Sequence, residues 1–144
     1  MNKEEVQQRV LKNGKPLDLR LFTWDPKTKA FSSLENGLVI DFTLIDGCTF
    51  RLWNYCMLKM GSLCNVKSGR GCVFVAGHNC SFETSYFCTF VTAYSCDFKT
   101  KSLCVVIRRD ADSYEVVEPK AGENIRLKHD GFKGFVVLEK VNSK

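Results

Sequence analysis

The sequence is poor in the residues from which catalytic and metal sites are usually assembled. Histidine occurs twice, at His78 and His129, and no Cys-x-x-Cys pair is present. A zinc site is therefore unsupported, and no metal or cofactor is expected. A nucleophilic site built on Ser/His/Asp or Cys/His has no histidine in a suggestive setting; His78 and His129 read as surface residues. No run of about 18 apolar residues occurs, so no membrane span is expected. Met1-Asn2-Lys3-Glu4-Glu5 is polar and acidic, unlike the apolar run of a signal peptide. The expected location is the cytoplasm, where thiols stay reduced. Charge of one sign is not concentrated either. The net charge of +5 is spread along the chain, which allows a polyanionic partner without calling for one. Imitation of DNA, which needs an acidic surface, fits poorly.

Cysteine is abundant, and its placement organises the chain. Cys48, Cys56, Cys64, Cys72, Cys80, Cys88, Cys96 and Cys104 fall at every eighth position. Two residues after each stands a large apolar residue: Phe50, Leu58, Val66, Phe74, Phe82, Phe90, Phe98 and Val106. Such periodicity identifies a repeat architecture. On a strand, alternate side chains share a face, so the cysteine and the apolar residue point inward together. The fifth position, held by small residues such as Ser68, Ala76, Thr84, Thr92 and Thr100, completes the inner row. The bends that follow contain Gly61, Gly69, Gly71, Gly77, Asn54 and Asn79, which are turn residues. Lys67-Ser68-Gly69-Arg70-Gly71 has the composition of a phosphate loop without its spacing, and one bend accounts for both glycines.

The outward positions decide how many octads close a coil. In the octads beginning at Cys48, Cys64, Cys80 and Cys96, positions two and four are Thr49, Asn65, Ser81, Asp97 and Arg51, Lys67, Glu83, Lys99, all polar. In the other four octads they are Met57, Val73, Thr89, Val105 and Lys59, Val75, Val91, Ile107, mostly apolar. Grouping by three would mix both kinds on every face. The period is therefore 16, and the fold class is mainly β: a single-chain parallel β-solenoid of about four coils, two octads per coil. With coils roughly 4.8 Å apart it would be about 20 Å long. Ile40 and Phe42 fit an extra leading octad without cysteine.

Residues 40–111 form the solenoid, flanked by an N-terminal helix and hairpin segment (1–39) and a small C-terminal β cap (112–144). Asn2 is placed to cap a helix running from Glu4 to Leu11, with Asn13-Gly14 as its stop. Leu17 to Leu21 alternates as a strand does. Trp24-Asp25-Pro26-Lys27 reads as a turn, with Lys29 to Ser33 as the returning strand. Leu38 to Phe42 leads into the repeat. Tyr114 to Val117, Asn124 to Lys128 and Phe135 to Leu138 read as strands, with a hairpin turn at Asp130-Gly131.

Cysteines 16 apart would stack with parallel Cβ vectors, a geometry that disfavours bridging. A reduced packing ladder is the expectation. The apolar outer residues Met57, Val73, Val75, Val91, Val105 and Ile107 form the candidate interface. They either pack beneath the N-terminal segment, join a second copy, or bind another protein. The bends after the polar octads carry Trp53, Arg70, Tyr86 and Lys101, an aromatic and basic edge suited to single-stranded nucleic acid.

Cys80-Ser81-Phe82-Glu83-Thr84 and Cys88-Thr89-Phe90-Val91-Thr92 resemble the Cys-Thr-Phe-x-Thr-Gly octapeptide arrays of uncharacterised tailed-bacteriophage proteins. Asn13-Gly14-Lys15-Pro16 with Trp24-Asp25, and the exit Cys104-Val105-Val106-Ile107-Arg108-Arg109-Asp110, resemble the flanks of those arrays. Leu58, Val66 and Val106 stand where the arrays carry Phe. The resemblance implies a phage-encoded protein in the host cytoplasm, or in the virion. Together with the missing catalytic groups it points to a non-enzymatic interaction module that binds and modulates a host protein, for example a defence component. A spike or tail accessory part is the alternative, and single-stranded nucleic-acid binding along the Trp53 edge is a second one.

Overall fold

A computed structural model describes residues 1–110 and 114–140. The junction at 111–112 and the last residues of the cap lie outside the described residues. Ten parallel strands wind into a two-sided tube of five coils. One wall, sheet A, contains β5 (Leu38–Phe42), β7 (Met57–Met60), β9 (Val73–Val75), β11 (Thr89–Thr92) and β13 (Val105–Arg108). The other, sheet B, contains β4 (Ala30–Ser32), β6 (Thr49–Arg51), β8 (Asn65–Lys67), β10 (Ser81–Glu83) and β12 (Asp97–Lys99). The register is 16 residues: Phe82 lies beside Val66 and Phe98, and Phe90 beside Phe74 and Val106. Alternating octads therefore build opposite walls, as the outward residues require.

The fifth coil was hidden from the octad count because the leading one lacks cysteine and breaks the spacing. Phe31 pairs with Phe50 and Ile40 with Leu58, offsets of 50 − 31 = 19 and 58 − 40 = 18 residues. The pairing survives because Phe31, Ile40 and Phe42 still place apolar side chains inside.

Every cysteine of the octads is buried, as are Phe50, Phe74, Phe82, Phe90 and Phe98. Rings stack along each wall: Phe74 on Phe90 at 5.2 Å and 14°, Phe82 on Phe98 at 5.2 Å and 3°. Across the tube they meet edge to face, Phe90 lying 5.0 Å from both Phe82 and Phe98. Both geometries suit the aromatic quadrupole. The fifth position completes the inner row with Leu52, Met60, Thr84, Thr92, Thr100 and Arg108, all buried.

Each octad turns through one left-handed residue just before its cysteine: Gly47, Tyr55, Leu63, Gly71, Asn79, Phe87, Ser95 and Leu103, with φ between 54° and 71°. Leucine and aromatic residues seldom adopt this region. Here the flanking ladder holds it, with Tyr55 N–H donating to the Arg70 carbonyl at 2.9 Å and Leu63 N–H to that of His78 at 3.1 Å. Gly69 serves a different need. A Cβ there would lie 1.9 Å from Asn54 Oδ1, the atom that accepts a hydrogen bond from Arg70 N–H at 3.0 Å.

The N-terminal segment closes the first coil. Helix α1 (Lys3–Gln7) is capped by Asn2, whose Oδ1 accepts from Glu5 N–H at 2.8 Å. It is shorter than the expected span to Leu11. Val10 and Leu11 enter β1 (Val10–Lys12), which pairs antiparallel with β5 and with β2 (Lys15–Pro16). Burial of the β-branched Val10 against the solenoid outweighs local helix preference. Leu19–Leu21 is a 3-10 helix rather than a strand. Asp18 caps it by accepting from Arg20 N–H at 2.9 Å, the local bond by which aspartate competes with extended structure. β3 (Thr23–Asp25) and β4 form the expected hairpin about Pro26.

At the other end β14 (Glu115–Val117) pairs antiparallel with β13, and β15 (Glu123–Leu127) with β12 and β16 (Phe135–Lys140). Arg108, fully buried, ties this cap to the tube. Its guanidinium donates to Asp110 at 2.5 and 3.0 Å, to the His129 carbonyl at 2.7 Å and to the Phe132 carbonyl. Among the described residues no helix is long and apolar enough to cross a membrane.

Candidate interaction surfaces

The alternation of octads gives the two walls different chemistry. On the outer face of sheet A the pairing aligns Met57, Val73, Thr89 and Val105 in one row, and Lys59, Val75, Val91 and Ile107 in the next. Val39 beside Met57 and Val116 beside Ile107 lengthen the stripe at either end, and both are exposed. Met57 is exposed, and Val73, Val75, Val91, Val105 and Ile107 are half-buried by their strand neighbours. These residues thus lie on one continuous face. Of the three alternatives, cover by the N-terminal segment is not there. Helix α1 packs on β1, β3 and the 3-10 helix, at the tube's end. Its buried Val6 and the buried Val10 and Leu17 join the core of the tube, so the end of the core satisfies them and the outer face of sheet A stays open. A shallow depression of about 170 Å³ crosses this face near Val75, Val91 and Arg109.

The outer face of sheet B carries a groove of about 390 Å³ that sequence reasoning did not single out. Its walls are the columns Thr49, Asn65, Ser81, Asp97 and Arg51, Lys67, Glu83, Lys99, and Asn124 and Leu138 stand at its C-terminal end. Lys67 reaches Glu83 at 3.7 Å, and Asp97 is held by Arg126 at 2.5 Å. The signal was present in the recurrence of polar residues at positions two and four. That pattern marks an exposed wall, not its depth.

Trp53, Arg70, Tyr86 and Lys101 fall on one edge, in successive bends, and all four are exposed. Tyr55 and Phe87 join them, unremarked at the sequence level because they stand at the turn position. The cations lie over the chain's own rings: Arg70 over Tyr55 at 5.9 Å and Lys101 over Tyr86 at 5.5 Å. Each pair covers one face of its own ring, Tyr55 or Tyr86. On the opposite edge His78 stacks on Tyr94 at 4.9 Å and 2°.

The thiols are unbridged and internal. They are more than apolar filler. Each from Cys56 onward donates to a carbonyl nineteen or more residues earlier, in the equivalent bend of the preceding coil, for example Cys96 to Gly77 at 3.3 Å and Cys104 to Ser85 at 3.2 Å. Cysteine suits this position because it is small, apolar and still a weak donor. The Cys104 thiol is pushed up by its hydrogen bond with Cys88 and then by burial, which favours the protonated form. Among the described residues no group of three or more His, Cys, Asp or Glu side chains is placed to hold a metal ion. Comparison of the chain with protein-family models, with curated proteins and with solved structures finds no match.

Proposed function

We propose that the protein is a non-enzymatic interaction module that presents the outer face of sheet A to another protein. One observation carries the reading: an apolar stripe from Val39 to Val116 runs across consecutive strands of a rigid wall, and the N-terminal segment leaves it uncovered. Contiguous apolar surface of this kind on a folded chain marks interaction sites. A parallel ladder also holds its side chains at fixed spacing, so docking costs little ordering entropy. The octad resemblance supports a phage-encoded protein that binds and modulates a host protein in the host cytoplasm. The polar opposite wall gives the docked complex a solvated outer surface.

The test uses the full chain, immobilised, and the double variant Val75→Asp, Val91→Asp. These residues are direct neighbours across β9 and β11, so the change puts two adjacent carboxylates in the middle of the stripe. Circular dichroism and a thermal midpoint within a few degrees of wild type establish that the variant is folded. The expected result is a host protein, identified by mass spectrometry and confirmed with purified material, whose affinity falls at least tenfold in the double variant. Equal binding by both chains overturns the reading. Binding of single-stranded DNA that is lost in Trp53→Ala, with no protein captured, moves the function to the aromatic edge.

A further inference from the structure

The two ends of the solenoid are finished differently. At the N-terminal end, sheet A stops at the two-residue β2, which carries Lys15 and Pro16, and sheet B stops at the three-residue β3, which is packed by α1. Proline, lysine, short strands and a covering helix are the devices that stop an edge from pairing further. At the C-terminal end the last described strand of sheet B is β16, six residues long, without proline and with its charged residues confined to the last two positions, Glu139 and Lys140. Phe135, Val136, Val137 and Leu138 are each 39–47% exposed. An apolar edge strand of this length offers a row of backbone donors and acceptors to another strand.

The interior columns specify what that strand must be. Phe135 lies opposite Leu127, which takes the place in line after Cys96, and Val137 lies opposite Ile125, which follows Phe98. Leu127 and Ile125 are fully buried. The thiol column and the ring column of sheet B thus run out of the tube at Phe135 and Val137, beyond which no described strand follows. The missing neighbour is an apolar strand that continues both columns. The chain carries such a strand in β16 itself. Sheet B is already antiparallel at this end, through β12, β15 and β16. A strand paired antiparallel with its own copy generates a two-fold axis, which closes at two subunits. With that axis perpendicular to sheet B, the interior sides of both copies face the same way, so the inward-facing Phe135 and Val137 of the two copies share one side of the joined sheet.

We infer that two copies of the chain associate tail to tail, β16 pairing antiparallel with β16 of the second copy so that the two interiors become continuous. This surface is separate from the outer face of sheet A, and its test does not depend on the function proposed there.

The full chain is measured by light scattering over a wide concentration range, together with Val137→Lys and the double variant Val75→Asp, Val91→Asp. The expected mass is twice the 16.4 kDa chain for wild type and for the sheet A double variant, and a single chain for Val137→Lys. A wild-type monomer throughout overturns the inference. So does a dimer that survives Val137→Lys, or one that is lost in the sheet A double variant alone. Hydrogen exchange on wild type tests the same point without a substitution, should Val137→Lys fail to fold. The amides of β16 are expected to gain at least tenfold protection in concentrated over dilute solution, while those of β2 do not change. Equal exchange of β16 at both concentrations overturns it.

Discussion

Phe90→Ala is expected to lower the stability of the chain by about 3–5 kcal/mol, the cost of emptying an aromatic site in a packed core. The ring is fully buried and touches three others: Phe74 along its wall, and Phe82 and Phe98 across the tube. The site has little means of collapsing into the space. β11 is held between β9 and β13 by ladder bonds on both sides, so the backbone does not follow the missing ring. Against a total of about 5–15 kcal/mol for a domain, the loss is a large share. At roughly 2–4 °C per kcal/mol for a chain of this size, the thermal midpoint should fall by about 6–20 °C. Val91→Ala, one residue along and facing outward, should cost about 1 kcal/mol or less. Thermal and denaturant unfolding by circular dichroism compares the two. Similar losses at Phe90 and Val91 would mean that the ring column is not the core.

The second large effect is expected at Arg108. Its position in the octad is the one held by Met60 three coils earlier on the same wall, so Arg108→Met keeps the shape of the inner row. What it removes is the donor for a nearly buried carboxylate, Asp110 at 12% exposure, and for the carbonyls of His129 and Phe132. Leaving one member of a buried ion pair costs about 3–5 kcal/mol. The loss should be local. In a solenoid each coil contacts only its neighbours, so β15 and β16 should open while β8 and β9 remain closed. About 3 kcal/mol corresponds to roughly a hundredfold faster amide exchange in β15 and β16. Replacing Asp110 as well, in Arg108→Met, Asp110→Leu, should recover part of it, because an apolar pair leaves no orphaned charge. Uniform acceleration along the whole chain would show that Arg108 serves the tube rather than its cap.

The chemistry of the two walls was legible in the sequence because strand geometry converts a period of two into inside and outside, and the outward residues then alternate octad by octad. Cys80 to Thr84 and Cys88 to Thr92 state the inner row and the two outer faces almost directly. The first coil was legible only in part: Ile40 and Phe42 fit a leading octad in step with Cys48, but Ile40 pairs with Leu58, at the third position rather than the first, and the offsets of 19 and 18 residues at Phe31 and Ile40 fall outside the repeat. Nor was the end of α1. Val10 and Leu11 continue a helical pattern, but the open edge of β5 claims them as a strand. Leu17 to Leu21 alternates like a strand and is not one, because the Asp18 carboxylate bonds the backbone two residues on. Arg108 was read as part of a charged exit, since nothing local reveals that the fifth position still points inward there. The open face of sheet A required knowing where the N-terminal segment goes, and that depends on contacts distant in sequence.

The winding of two octads per coil is tested most directly by nuclear Overhauser effects on uniformly labelled protein. Backbone proton contacts are expected to join Phe82 with residues near Val66 and Phe98, and Phe90 with residues near Phe74 and Val106, all within one chain. Backbone contacts at a spacing of three octads, or between chains in a mixed-label sample along β6 to β13, would contradict the fold and remove the apolar face on which the proposed function stands.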